Sequence, residues 1–269
     1  MNHGWRREIS GKEWKVVIAQ IYEIQDPRQA EMCLQAGVDH VGSVLLGEWG
    51  WRHDGVRDVA RILEGAGAVH SIIPLFKGDD VYRVLDFYRP AFIHLCDDLT
   101  GPGGNMQDLG RFIETQVDLK HRFPEVGVIR SIPVPEPGGP DVGSVEMARR
   151  LAPVSDMLLI DTWSGNSPVG GFIGITGRVP EPGISRAVVE AVEIPVILAG
   201  GLGPDNVYEA ALEVIPAGVD SCTRTNLTDD AGKPVRFKKD FDKVRVFVEE
   251  TRRAGEDLEG REGHEKAGA

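Results

Sequence analysis

One sequence unit recurs eight times along the chain, and that recurrence constrains the fold more than any single motif does. Each unit is a short apolar run, then a turn, then an amphipathic stretch. The clearest copy is Ile194 to Asn206, IPVILAGGLGPDN. Ile194 to Ala199 carry apolar side chains on both faces, as a parallel strand covered by helices must. Gly200 and Gly201 supply turn conformations closed to other residues and let the backbone come close to an anion. A helix opening near Pro204 adds unpaired N–H groups and the positive end of a helix dipole.

The other strands are expected at Lys15 to Tyr22, Val38 to Leu46, His70 to Phe76, Ala91 to Cys96, Gly127 to Ile132, Asp156 to Asp161 and Gly218 to Cys222. Amphipathic stretches follow each of them, the last being Asp240 to Arg253 with Phe241, Val244, Phe247 and Val248 on one stripe. Eight such units in 269 residues predict a single-domain (β/α)8 TIM barrel over residues 15–254. A doubly wound sheet is the alternative, but the first unit lacks the GxGxxG turn of a dinucleotide site. Residues 1–14 read as an N-terminal extension. Residues 255–269 are charged and glycine-rich and are expected to be disordered.

The formal net charge is -12, with no basic run, which argues against nucleic acid and against an anionic membrane surface. No apolar run approaches the roughly 18 residues that a membrane span needs. The N-terminus lacks the apolar core of a signal peptide, so a cytoplasmic location is expected. Cys33, Cys96 and Cys222 have no zinc-ligand spacing, and their odd number argues against a disulfide framework. No metal and no cofactor are expected. The expected partner is a phosphorylated small molecule. The oligomeric state stays open, a homo-oligomer among the options.

In a barrel of this kind the active site lies at the C-terminal ends of the strands. Asp161 leaves the apolar run MLLI at that end. A partly buried carboxyl there is a candidate proton donor near neutral pH, a loop-anchoring aspartate being the plainer alternative. Gly174, Thr176 and Gly177, then Gly200 and Gly201, then Thr223 and Arg224 come from the last three loops, where barrel phosphate sites are commonly built. Arg52, in the Trp-flanked loop EWGWRH, is a candidate clamp for a substrate carboxylate. Gln20 and Cys96 are further candidate substrate contacts. Lys77 at the third strand end is a candidate Schiff-base lysine.

These stretches resemble the phosphoribosylanthranilate isomerase family, the (β/α)8 barrel of tryptophan biosynthesis. The matches are Gly37-Val38-Asp39-His40-Val41-Gly42, Leu158-Leu159-Ile160-Asp161-Thr162, Ile197 to Leu202 with Pro204-Asp205-Asn206-Val207, and Gly218-Val219-Asp220. The resemblance implies an intramolecular isomerase. Asp161 would be the general acid that opens the ribose ring, Arg52 would hold the anthranilate carboxylate, and Gly200 and Gly201 would bind phosphate. The family's first strand ends in Lys-Ile-Cys-Gly, and its cysteine removes the C2 proton of the sugar. Here Val17-Ile18-Ala19-Gln20 aligns with that stretch and puts Ala19 at the cysteine. The family's eighth-strand Ser-Ser-Gly is Cys222-Thr223-Arg224, and its strand-four histidine falls at Cys96.

Alanine accepts no proton. The expectation is therefore an isomerase-like enzyme on a phosphorylated sugar or phosphoribosyl compound, poor at the family's own reaction, with Glu23 or Cys222 as the replacement base. The alternatives are a lyase or aldolase using Lys77, and a non-catalytic barrel that keeps the phosphate site.

Overall fold

The computed structural model describes residues 17–47, 50–165 and 169–267. The expected extension over residues 1–14, the first two residues of strand one, and Glu48 of the loop after strand two lie outside them.

Eight parallel strands close in sequence order into a barrel. They are β1 (Ile18–Ile21), β2 (His40–Leu46), β3 (Val69–Leu75), β4 (Phe92–Leu95), β5 (Gly127–Pro135), β6 (Met157–Trp163), β7 (Val196–Leu198) and β8 (Gly218–Ser221). The helices between and after them are α1 (Pro27–Gln35), α2 (Asp54–Ala66), α3 (Asp80–Tyr88), α4 (Gly110–Arg122), α5 (Ser144–Leu151), α6 (Pro182–Glu190), α7 (Val207–Val214) and α8 (Phe241–Ala267). Local chemistry sets their starts. Asp26 caps α1 by accepting from the Arg28 amide at 2.8 Å, with Pro27 in the first turn. Glu181 caps α6 ahead of Pro182 in the same way. Helix α7 begins at Val207 and not at Pro204, because Pro204 to Asn206 form a turn in which Asn206 accepts from the Gly203 amide and donates to the Gly201 carbonyl.

Side chains alternate across each strand, so each strand feeds two layers. Ala19, Ile21, Val41, Ile160 and Val219 pack outward with Ala30, Leu63, Val207 and Phe247 of the helices. Tyr22, Val44, Phe92, Ile129, Leu159 and Ile197 pack inward and fill the barrel. Closure places Gln20 opposite Asp220 and Ile21 opposite Ser221. At the other end of the barrel, Arg252 of α8 donates to the Val17 and Gly37 carbonyls and to Asp39, tying the last helix to the first strand.

Two features depart from the sequence expectation. Residues 255–267 are helical rather than disordered, because Leu258 packs on the core and the Tyr208 hydroxyl donates to Asp257, so the charged face has a support. The connection from β8 to α8 carries an antiparallel pair, β9 (Asn226–Thr228) and β10 (Pro234–Lys239). Its turn is held by Asp229, which accepts from the Ala231 and Lys233 amides. Among the described residues no helix is long and apolar enough to cross a membrane.

Gly42 shows how tightly the barrel interior is filled. A methyl group on it would overlap the Tyr22 ring, which lies across β2. Gly42→Ala is expected to cost about 1–3 kcal/mol, the usual penalty for overpacking a filled core. Urea unfolding measures it as a lower midpoint at constant slope. An unchanged midpoint would mean that Tyr22 moves aside freely.

Candidate active site

At the C-terminal end of the barrel the inward positions form a cavity of about 60 Å³. Tyr22, Glu23, Asp161, Asp220 and Cys222 supply its polar lining, and Leu75, Leu159 and Ile173 supply apolar walls. Asp161 faces in because it is two residues beyond the inward Leu159. One of its oxygens accepts from the Thr162 amide at 2.8 Å, and the other lies against Gly174, where a Cβ would collide with it. Burial pushes its carboxyl up to about 6, against the opposing pull of the Thr162 amide. Part of the population therefore carries a proton near neutral pH.

Asp220 is the second inward carboxyl. Gln20 Nε2 donates to its Oδ1 at 3.2 Å. Burial pushes it up to about 8, helped by the negative charge of Asp161 and opposed by the Gln20 hydrogen bond and by Lys239. Both carboxyls line this cavity and the smaller pocket beside it. Below them runs a neutral network. The Tyr22 hydroxyl lies 2.8 Å from Ser71 Oγ and 2.8 Å from His94 Nδ1, and His94 Nε2 lies 2.8 Å from Ser131 Oγ. Burial lowers His94 to about 3, so the imidazole is uncharged, and burial holds the Tyr22 phenol well above its ordinary value.

Ala19 is not at the site. It faces the helices, packed with Ile21, Ala30 and Val41. The residue from this strand end whose side chain lines the cavity is Tyr22, just beyond β1. Gln20 does not line the cavity either. It is fully buried and holds Asp220. Glu23 does line it, with a left-handed backbone (φ 66°), but its carboxylate is engaged by Arg236 Nε at 2.7 Å and Nη2 at 2.5 Å and receives the Phe237 amide from β10. Cys222 also lines the cavity. Burial, then the nearby charges of Glu23 and Asp220, hold its thiol well above its ordinary value. Cys96 is likewise an un-ionised thiol, pushed up by burial and by Asp97 and Asp161.

Arg52 is turned away from the mouth. Its guanidinium stacks 4.4 Å over Trp51 and 5.2 Å over Phe87 of α3, and it lies outside the cavity lining. Lys77 is 62% exposed, 4.0 Å from Asp97 and 5.6 Å over the Phe172 ring, and it does not reach the central cavity. A solvated ammonium outside the cavity gives no support to the Schiff-base reading. Among the described residues no three His, Cys, Asp or Glu side chains are arranged to hold a metal ion.

The adjoining pocket, about 40 Å³, is lined by Thr176, Gly177, Gly200, Gly201 and Thr223 as well as by the two aspartates. The amides of Gly177, Gly200 and Gly201 donate to no acceptor among the described residues. Three such donors suit an anion. The glycines are required sterically, since a Cβ on Gly201 would press on the Arg178 and Gly177 backbone and Gly200 would meet Thr162. Gly174 belongs to the central cavity beside Asp161 and not to this pocket. Arg224 is held outside it by Asp205 at 2.5 Å and by the Gly201 carbonyl at 3.4 Å.

Across the barrel from β7 and β8, a larger groove of about 330 Å³ opens beside β3 and β4. Phe76, Tyr82, Phe112 and Phe172 give it aromatic walls, and Lys77, Arg111 and Arg130 outnumber Asp79 and Asp97. Arg130 is fully buried and donates to Asp97 at 3.0 Å, Leu95 O at 3.1 Å and Gln116 at 2.9 Å. Cys96 lines both this groove and the central cavity.

Sequence reasoning placed Tyr22 at the end of the first strand without giving it a role, and did not single out Arg236 or Asp220. Asp220 had a usable signal, because it is two residues before Cys222 and so shares its face.

No family model matches the chain. It is 30% identical over 238 residues to an N-(5'-phosphoribosyl)anthranilate isomerase of Methanocella arvoryzae, covering 84% of this chain and 93% of the relative. It is 30% identical over 224 residues to an enzyme of the same name from Methanothrix thermoacetophila, covering 81% and 94%. Its fold is similar to monomers generated from the dimeric phosphoribosylanthranilate isomerase of Thermotoga maritima, with a TM-score of 0.62 at 18% identity over 88% of this chain and 98% of that one. A closed barrel, an inward aspartate at the end of β6, a glycine-lined pocket and two nearly full-length relatives agree: the chain belongs to the phosphoribosylanthranilate isomerase family.

Proposed function

We propose that this enzyme isomerises N-(5'-phosphoribosyl)anthranilate to the corresponding 1-arylamino-1-deoxyketose phosphate, with Asp161 as general acid. The observation that carries the reading is the contiguity of a proton-bearing carboxyl with a pocket of unpaired glycine amides. The phosphate docks on the amides of Gly177, Gly200 and Gly201, with Thr223 beside them. That puts the ribose in the central cavity. Asp161 gives its proton to the ring oxygen as the C1–O bond breaks, and the nitrogen lone pair forms C1=N. Loss of the C2 proton then gives an enolamine, which ketonises. The apolar walls exclude water, which strengthens each charge–charge contact in the step.

The aryl carboxylate lies in the groove opposite, on Lys77, rather than on Arg52, whose guanidinium is stacked away from the mouth. Ala19 packs in the helix layer and supplies no base to the cavity, so proton removal from C2 falls to another residue. The free cysteines suit a reducing, cytoplasmic setting.

Asp161→Asn keeps the shape and removes the proton. It is expected to lower kcat by about 100- to 10,000-fold while the unfolding midpoint holds or rises, since a buried carboxyl that is costly when charged is removed. Turnover followed by loss of substrate fluorescence, and rescue of a tryptophan auxotroph lacking the isomerase, measure it. A wild-type protein that neither converts this substrate nor rescues growth would sink the reading.

Gly201→Val tests the phosphate pocket. It should raise KM about 10- to 100-fold, the value of one lost hydrogen bond to a charged group. Binding of the dephosphorylated analogue should change little. Equal weakening for both ligands would mean general damage to the mouth and no phosphate contact at this loop.

A further inference from the structure

We infer that Asp220 is the second proton-transfer group of the site, the one that removes the C2 proton, working against Asp161 across the cavity. This rests on the isomerase reading above.

The geometry leaves Asp220 as the carboxyl free to act. It lies on β8, the strand that closes onto β1, and its side chain faces in beside the mouth end of β1. One oxygen takes the Gln20 amide, and the other has no hydrogen-bond partner among the described residues. The competing groups are each disqualified by their contacts. Glu23 is clamped by Arg236 and the Phe237 amide. Cys222 faces two carboxylates, so a thiolate there is opposed by charge. Tyr22 and His94 are bound to one another and to two serines.

Gln20 suits the role. Its amide has one donor end and one acceptor end. The donor end bonds Asp220, while Oε1 is buried without a partner. Rotation of the amide by half a turn would let the same side chain accept from Asp220 once that carboxyl is protonated. Gln20 is thus a positioning residue for both states of its neighbour.

The proton count closes. One carboxyl gives a proton to the ring oxygen, and the other takes the C2 proton as the C–H electrons form C1=C2 and the C1=N pair returns to nitrogen. The pair begins and ends the step holding one proton, with no outside acid, base or oxidant. The charged and titratable groups facing Asp220 are Asp161, Lys239, Tyr22 and Cys222, with the Glu23–Arg236 pair beyond Cys222. Between about 6 and about 8 the two aspartates hold one proton between them, mostly on Asp220, and the reactive form is the minor one in which Asp161 carries it. These values belong to the pair, and a bell-shaped rate profile follows.

The test uses the full-length enzyme and substrate carrying deuterium at C2. Asp220→Asn should fall about 100- to 10,000-fold in kcat, with Asp220→Glu recovering part of it. The isotope effect on kcat should rise in Asp220→Asn as C–H cleavage becomes the slow step, and stay smaller in Asp161→Asn. Gln20→Met removes the hydrogen bond that lowers Asp220 and should move the alkaline limb of the profile upward. If wild type is active but Asp220→Asn keeps kcat within about threefold, or the limb stays put in Gln20→Met, the inference is overturned while the isomerase reading stands. If wild type converts no substrate, the isomerase reading itself has failed.

Discussion

The mouth depends on the register with which β1 closes onto β8. Ile18 to Ile21 meet Gly218 to Ser221 in step, and that pairing decides which residues of both strands face in. Side chains on a strand alternate with a period of two, so a slip by one residue exchanges the faces. Such a slip would present Val219 to the cavity and send Asp220 into the helix layer, where nothing could compensate its charge. Gln20 stands beside Asp220 across the seam and hydrogen-bonds it, so the pair that sets the register also holds the carboxyl. Gly42 contributes from the next strand by leaving room for the Tyr22 ring.

Two buried carboxyls in apolar surroundings are costly when charged. Both are raised above their ordinary value of 3.8, so the folded chain binds these protons more tightly than the unfolded one. Their contribution to stability is fully present below that value. It is lost progressively as pH rises, through about 6 for Asp161 and about 8 for Asp220. The fold tolerates this because the cost falls on two residues of a barrel whose remaining interior is well packed. The same desolvation that weakens the fold keeps a proton available at neutral pH, the familiar opposition of stability and activity.

The fold was legible because eight apolar runs leave few arrangements other than a closed barrel. Asp161, Thr176, Gly177, Gly200 and Gly201 were legible for a related reason: each sits at or just beyond a strand end, where a barrel gathers its loops. The facing of Ala19 was not legible, because a motif alignment carries no information about which side of the sheet a residue takes; here it packs with the helix layer. The present contacts of Arg52 and Arg224 were not legible for another reason. A guanidinium on a loop goes to the partner that is nearest in space, here Trp51 and Phe87 or Asp205, and those partnerships are set by tertiary packing. The hairpin of β9 and β10 was missed because Pro234 to Lys239 is charged and mostly exposed, without the apolar face that marks a core strand. Yet it delivers Arg236 to Glu23 and so removes that carboxylate from the candidate bases.

The charge distribution explains how so acidic a chain accommodates an anion with two charged ends. The net charge of -12 is what remains once ion pairs of neighbouring helical residues, such as Arg83–Asp80, Arg122–Asp118 and Arg186–Glu190, have cancelled. At the mouth the arrangement differs. The β7–β8 side offers unpaired amides, which attract a phosphate without any side-chain charge, and the β3–β4 side offers more cations than carboxylates. On the proposed function, an anion charged at both ends would span the barrel, with its uncharged sugar between them, over Asp161 and Asp220. A neutral middle suits that place, since a charged group there would face two carboxyls in an apolar cavity. Under that proposal, specificity at this mouth would come from the order of charges along the ligand, anion then neutral polyol then anion, as much as from any single contact.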